Sequence, residues 1–220
     1  MKQHLLLSDL IHFLEQQNII LNDTQTQQLE LYHSGLTKYA DQMNLISTRD
    51  KSFIIEHHFL PSFYYYHYLS MDENFSDKHI LDLGTGAGFP GIIIAISSLN
   101  NRITLIDSSR KKTLFLRNLV SRLELDIEII CERIENISSS FFKKYDIIVA
   151  RAVASLSVLS NWCMPFLKTD GYLLTLKGEN YKDELDRNLD IELNRLNPNP
   201  VWYNFSNYLR NKCMIKVCNH

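Results

Sequence analysis

Residues 81–91 read Leu81-Asp82-Leu83-Gly84-Thr85-Gly86-Ala87-Gly88-Phe89-Pro90-Gly91. The chain has seven glycines, and four of them fall in this stretch, too many for a merely tight turn. Glycine adopts backbone angles that other residues resist, and it lets a ligand approach the main chain closely. The apolar run Ile80–Leu83 leads into the glycines, and Gly91–Ile96 continues beyond them. Pro90 suits the first turn of a helix, where its missing N–H costs nothing. Strand, glycine turn and helix N-terminus, in that order, form the nucleotide-cofactor corner of a doubly wound sheet.

Outward from this corner the rhythm holds. Strands are predicted at 80–83, 103–107, 127–130, 146–150 and 172–177, with helices near 90–99, 110–123, 154–167 and 180–193. Such alternation implies a parallel sheet covered on both faces. Two more strands, 201–205 and 213–217, are expected without a helix between them, as an antiparallel hairpin at one edge. The fold class read here is α/β and Rossmann-like, with a seven-stranded, mostly parallel sheet. Upstream the pattern changes. Leu6, Leu10, Phe13 and Leu14, then Leu29, Leu31 and Leu36, then Phe53, Ile54, Phe59 and Leu60 predict helices over 3–17, 24–43 and 50–69. Residues 1–75 are therefore read as an N-terminal helical extension and 76–220 as the main domain. Charge changes at the same boundary: 4 basic and 9 acidic residues before it, 19 and 16 after it. The aromatic run Phe63-Tyr64-Tyr65-Tyr66 admits a base-stacking role, but aromatics ending a helix more often pack on a neighbour.

Composition limits the function classes. A 45% apolar chain buries a real core, and a net charge of −2 gives no global field for a polyanion. A nucleic-acid partner needs a local basic patch. The run Gly91–Ile96 is far short of a membrane span, and the first nine residues read as an amphipathic helix rather than a leader. Four cysteines without a C-x-x-C pair point to a reducing cytoplasm. Cys213, Cys218 and His220 read as an apolar terminal strand with incidental thiols, so no metal is expected.

The cofactor follows from charge. Gly86-x-Gly88-x-x-Gly91 fits a dinucleotide pattern, which alone is weak. Asp82, on the strand just before the glycines, would repel a pyrophosphate. S-adenosyl-L-methionine instead offers an ammonium and a sulfonium. Asp82 can serve that positive end, and Gly86 leaves room for the methionine. Asp107, closing the second strand, can accept from both ribose hydroxyls of either cofactor. An NAD-dependent dehydrogenase stays open as the alternative at this point, as does a non-catalytic RNA- or ribosome-binding module on the same fold.

Asp82–Gly91, with Asp107-Ser108, Lys111-Lys112 and Phe115-Leu116, resembles the bacterial RsmG (GidB) methyltransferases, which modify N7 of one guanine in small-subunit ribosomal RNA. Asn44–Asp50 with His58, Arg133-Ile134-Glu135, Ala150–Leu156 and Leu176-Lys177-Gly178 are similar to further motifs of that family. The likeness spans roughly residues 40–180. Ala87 stands where the family usually has Pro, Ala150 where Ser is common, Ile134 where Ala or Val is common, and Pro61 where an Asp is frequent. The resemblance implies that Gly84, Phe89, Asp107, Ile134, Glu135 and Arg151 contact the cofactor, and that 16S ribosomal RNA in the small subunit is the partner; the protein is expected to be a monomer. Phe89 would close over the methionine, and Ile134 would offer its N–H to the adenine. Arg151 would meet the target nucleotide. Guanine N7 carries a lone pair and needs no deprotonation. Neither an Asn-Pro-Pro-aromatic motif nor a Pro-Cys nucleophile occurs, so no general base is nominated. Catalysis is then mostly alignment, which can supply up to ~7–11 kcal/mol. Arg110, Lys111, Lys112, Arg117 and Arg122 form an acid-free run that could face RNA, together with Arg49, His58, Lys143, Lys144 and Lys177.

Overall fold

A computed structural model describes residues 4–98, 100–178, 181, 184, 193–196 and 200–219. The described helices are α1 (Leu7–Gln16), α2 (Asp23–Met43), α3 (Leu60–Ser70), α4 (Gly91–Ser97), α5 (Arg110–Arg122), α6 (Leu156–Cys163) and α7 (Pro200–Phe205). The strands are β1 (His79–Leu83), β2 (Arg102–Ile106), β3 (Ile127–Ile130), β4 (Tyr145–Arg151), β5 (Leu167–Gly178), β6 (Leu193–Leu196) and β7 (Lys212–Cys218). They form one sheet in the order β3-β2-β1-β4-β5-β7-β6. The first five are parallel, and β7 runs antiparallel to both β5 and β6. Strand order reverses between β1 and β4, and the crevice at such a switch point is where doubly wound sheets bind ligands.

Side chains alternate across the sheet because a strand has a period of two. Ile80, Ile103, Leu105, Ile147, Val149 and Leu174 pack in one cluster with the N-terminal helices, α4 and α5. Leu81, Leu83, Ile106, Ile148, Ala150 and Leu173 pack in the other, with Leu156, Leu159 and Cys163 of α6. All seven residues of α4 are buried because it lies between the sheet and α2 and α3. Helix α2 starts at a reciprocal cap: Asn22 Oδ1 accepts from Gln25 N–H, and Gln25 Oε1 accepts from Asn22 N–H.

Three expectations need correction or refinement. Val201–Phe205 is helical, not a strand. Trp202 and Phe205, three apart, both pack on Phe13, while Val201 is exposed; that is helical spacing rather than alternation. The edge partner of β7 is instead Leu193–Leu196, paired from Leu193 opposite Val217 to Leu196 opposite Met214. The helix expected over 50–69 is a 3₁₀ turn at Lys51–Phe53, a π turn at Ile55–Phe59 and then α3. Pro61 sits in the first turn of α3, where it withholds no needed donor. The helix expected over 180–193 lies almost wholly outside the described residues, and β6 begins at its last position.

Candidate cofactor and substrate site

The site is built on the C-terminal ends of β1, β2 and β4. Asp82 shares the Ile80 face of β1 and is wholly buried beneath the glycine loop. Its Oδ2 accepts from the Thr85 hydroxyl and from Gly91 N–H, each at 2.7 Å. The carboxylate thereby ties the loop to the N-terminus of α4. Position 91 must be glycine, because a Cβ there would collide with Leu105 and with Asp82 itself. Asp82 Oδ1 is buried without a hydrogen-bond partner among the described residues. Burial pushes the carboxyl up to about 6, against the hydrogen bonds from Thr85 and Gly91. Gly86, at φ +61°, turns its N–H to Asp107 Oδ2 at 2.9 Å. A Cβ on Gly86 would meet nothing nearer than Gly84 O at 3.9 Å, so this stretch of loop faces open space. Asp107 Oδ1 accepts from Ser109 N–H at 2.8 Å, which holds the carboxylate at the rim with lone pairs to spare.

Two clefts flank this loop. One, of about 250 Å³, is lined by Gly84, Asp107, Ile134, Glu135, Val153 and Trp162, among others. It brings together four of the residues read from sequence as cofactor contacts. An orphaned acid under an open glycine turn, with a second acid at the rim, fits a cofactor with a cationic amino-acid end and a ribose. Phe89 lines neither cleft. Its ring is buried against Tyr32, Phe59 and His58, and Arg151 lies 5.7 Å from its centre.

The second cleft, of about 500 Å³, is lined by Asp50, His58, Arg151, Val153, Lys177, Glu184, Tyr208 and Lys212, among others. Val153 belongs to both clefts and forms their common wall. Arg151 ends β4 and donates to His57 O at 2.6 Å and to His58 Nδ1 at 2.7 Å. Burial, reinforced by the Arg151 charge, lowers His58 to about 3. Lys177 is buried and bound to Ala154 O and to Glu184 Oε2, the latter at 2.8 Å. Arg117 donates to Ile129 O at 2.6 Å across the end of β3. Lys144 pairs with Glu128. Arg49, Arg110 and Lys111 are exposed, and Lys112 is half-buried beside them.

Tyr32 and His57 went unnamed in the sequence reading, and Tyr65 was named only within the aromatic run. Tyr65 OH donates to Ala150 O and accepts from Leu176 N–H, both at 2.7 Å, stitching the ends of β4 and β5. Tyr32 OH donates to Ala87 O in the glycine loop at 3.0 Å. His57 bonds Asp50 at 2.6 Å and stacks between Phe53 and Tyr208. The available signal was weak: Tyr32 continues the Leu29–Leu36 stripe, and Tyr65 lies within the aromatic run. Packing accounts for that run, since Phe63, Tyr64 and Tyr65 are all buried.

A seven-stranded sheet of this order, with an acid-pinned glycine loop at its switch point, defines a Rossmann-like class I S-adenosylmethionine-dependent methyltransferase. Solved structures agree on the fold. The plantazolicin methyltransferase BpumL, in complex with SAH, superimposes with a TM-score of 0.57 at 16% identity, covering 90% of this chain and 100% of that one. A SAM-dependent methyltransferase from Aquifex aeolicus gives 0.54 at 12% identity, covering 76% and 93%. Among curated relatives, ribosomal RNA small subunit methyltransferase G of Staphylococcus carnosus is 36% identical over 181 residues, 80% of this chain and 74% of its own. The protein of that name from Lactobacillus helveticus is 36% identical over 177 residues, 79% and 73%. The chain belongs to the GidB family, rRNA small subunit methyltransferase G, whose profile matches residues 25–196.

Proposed function

We propose that this protein transfers a methyl group from S-adenosylmethionine to N7 of a guanine in 16S ribosomal RNA, acting as a monomer on the small subunit in the cytoplasm. The observation that carries the reading is the pair of clefts sharing Val153, one lined by Gly84, Asp107, Ile134 and Glu135 beside the Asp82-pinned loop, and one of about 500 Å³, roomy enough for a base. When bound, the cofactor supplies an electrophilic methyl group. Asp82 and the turn at Gly86 hold its amino-acid end, and Asp107 takes the ribose. Ile134 and Glu135 border the adenine. Arg151 holds the opposite side of the site, at the end of β4. No proton has to leave N7 before attack, so the residues align rather than exchange protons. Residues 76–220 carry the cofactor cleft, and the helical segment 1–75 packs on the same core and lends Asp50 and His58 to the second cleft. Arg49, Arg110 and Lys111, all exposed, and the half-buried Lys112 are cations suited to phosphates. Arg117, Lys177 and His58 serve the fold through internal partners as well.

The test is transfer of labelled methyl to small-subunit RNA, naked and assembled, followed by mapping of the modified base. Labelled 7-methylguanine at one position supports the reading. Label on another atom, or reduction of NAD with a hydroxy acid and no label, overturns it. Among the described residues no helix is long and apolar enough to cross a membrane.

A further inference from the structure

A side chain lining the second cleft carries a donor that no described residue satisfies. Arginine can only donate hydrogen bonds. Because Arg151 Nη2 approaches His58 Nδ1 at 2.7 Å, that nitrogen is the acceptor, and the ring is neutral with its proton on Nε2. Nε2 is buried and has no hydrogen-bond partner among the described residues. A buried donor left unpaired is costly, which makes it a recognisable place for a ligand's acceptor. His58 lines the cleft beside Arg151 and Lys177. It also belongs to the π turn Ile55–Phe59, an irregularity that occurs often at functional sites. The same turn leaves His57 O to be claimed by Arg151 at 2.6 Å, so the clamp grips both backbone and ring.

We infer that His58 Nε2–H is the specificity-determining donor to O6 of the target guanine. This rests on the guanine-N7 reading above. N7 and O6 lie on the same base edge, and both are acceptors. A donor placed on N7 would occupy the lone pair that must attack, so the productive contact is to O6. Adenine has an amino donor in that place, and two donors facing each other repel. Methylated N7 leaves a cationic ring. A neutral imidazole can hold O6 without opposing that charge, which a guanidinium in the same position could not. Arg151 acts at one remove: it fixes the tautomer and spends its donors on the π turn.

The experiment uses the full chain and small-subunit RNA carrying guanine, inosine or 2,6-diaminopurine at the mapped target. Inosine keeps O6 and lacks the 2-amino group; diaminopurine replaces O6 by an amino donor. His58→Asn retains an acceptor near the Nδ1 position for Arg151 but loses the distal donor, and His58→Ala loses both. Folding is checked by melting temperature and by affinity for S-adenosylhomocysteine, which His58→Asn should leave within about twofold. In single turnover the wild type should methylate guanine and inosine and be at least about 100-fold slower on diaminopurine, since buried polar groups left facing the wrong partner discriminate strongly. His58→Asn should lose about 10- to 100-fold on guanine and little on diaminopurine, so that discrimination collapses. An equal loss on all three bases would mean a phosphate or sugar contact and overturn the inference. So would unchanged discrimination in His58→Asn. If the wild type labels no guanine N7 anywhere, the underlying reading fails first, and the loss of this inference is then attributable to it.

Discussion

Binding of the methyl donor should depend on pH through Asp82. This carboxyl is wholly buried, and burial raises it from 3.8 to about 6. The Thr85 hydroxyl, the Gly91 N–H and the Arg151 charge act in the lowering direction, and Asp107 adds to the rise. An acid whose folded pKa exceeds its unfolded value binds more protons when folded between the two. The free protein therefore loses stability as pH rises from the unfolded value toward the folded one, at a cost of about 3 kcal/mol once both are passed. An ammonium near the free Oδ1 reverses the preference, because an opposite charge favours the carboxylate. Ligand binding must then expel a proton at pH values below that folded pKa. Affinity for S-adenosylhomocysteine, which keeps the ammonium, should rise about tenfold from roughly pH 5 to 7 and level off above. His58 does not titrate in this window, since it is lowered to about 3. Asp82→Asn can still accept from Thr85 and Gly91 through its amide oxygen. It should bind about 10- to 100-fold more weakly at neutral pH and show no slope. Calorimetry in buffers of different ionisation enthalpy measures both affinity and protons released. A flat wild-type profile without proton release, or a slope that survives in Asp82→Asn, would refute the reasoning.

Gly86→Val should abolish cofactor binding, because the new side chain enters the open side of the loop, and should also lower the melting temperature, because φ of +61° strains a β-branched residue; calorimetry and thermal melting followed by circular dichroism read the two effects separately. Tyr32→Phe leaves Ala87 O without its donor, and should cost about 1–3 kcal/mol in unfolding free energy together with a loss of cofactor affinity. Lys111→Glu with Lys112→Glu should flatten the log–log salt dependence of RNA affinity by roughly one unit per lost phosphate contact, and leave cofactor affinity within about twofold. An unchanged slope would make this part of α5 an ordinary solvated face. Activity on prefolded RNA should survive chelation of divalent ions, because no group of three or more His, Cys, Asp or Glu gathers among the described residues; restoration of a lost rate by zinc would contradict this.

The part of the fold that sequence reveals is the part held by local rules. Residues 80–150 alternate apolar runs with turns, and every strand and helix expected there is present within a few residues. The glycine loop could be read because its constraints are short-range: Asp82, Thr85 and Gly91 bond one another within ten positions. Asp107 follows by strand order alone, since parallel pairing puts Ile106 beside Leu83. The sheet edge was misread because Val201–Phe205 has β-rich composition while Trp202 and Phe205 are claimed by Phe13, nearly two hundred residues earlier. Leu193–Leu196 has only four residues and depends on β7 for its partner. Local propensity carries neither fact. Lys177 shows the same limit in the site. Its place at the end of β5 suggested a cation facing RNA, but Glu184 and Ala154 O hold it.

The N-terminal helices illustrate what long-range contact adds to a local motif. Three of their side chains or turns end on the elements that hold the two clefts. Tyr32 OH bonds the glycine loop at Ala87 O, and Tyr65 OH spans Ala150 O and Leu176 N–H. The π turn supplies His57 O and His58 Nδ1 to Arg151. Each of these contacts crosses more than fifty residues of sequence. Helices α2 and α3 also bury α4, whose N-terminus carries the Asp82–Gly91 contact. Removing residues 1–75 would therefore not merely strip an RNA-facing appendage from a finished domain. It would expose the isoleucines of α4 and leave Arg151 with two donors and no acceptors. It would also free the loop that shapes the cofactor cleft. The helices are as much a part of the site as the glycines are, although only the glycines announce it in the sequence.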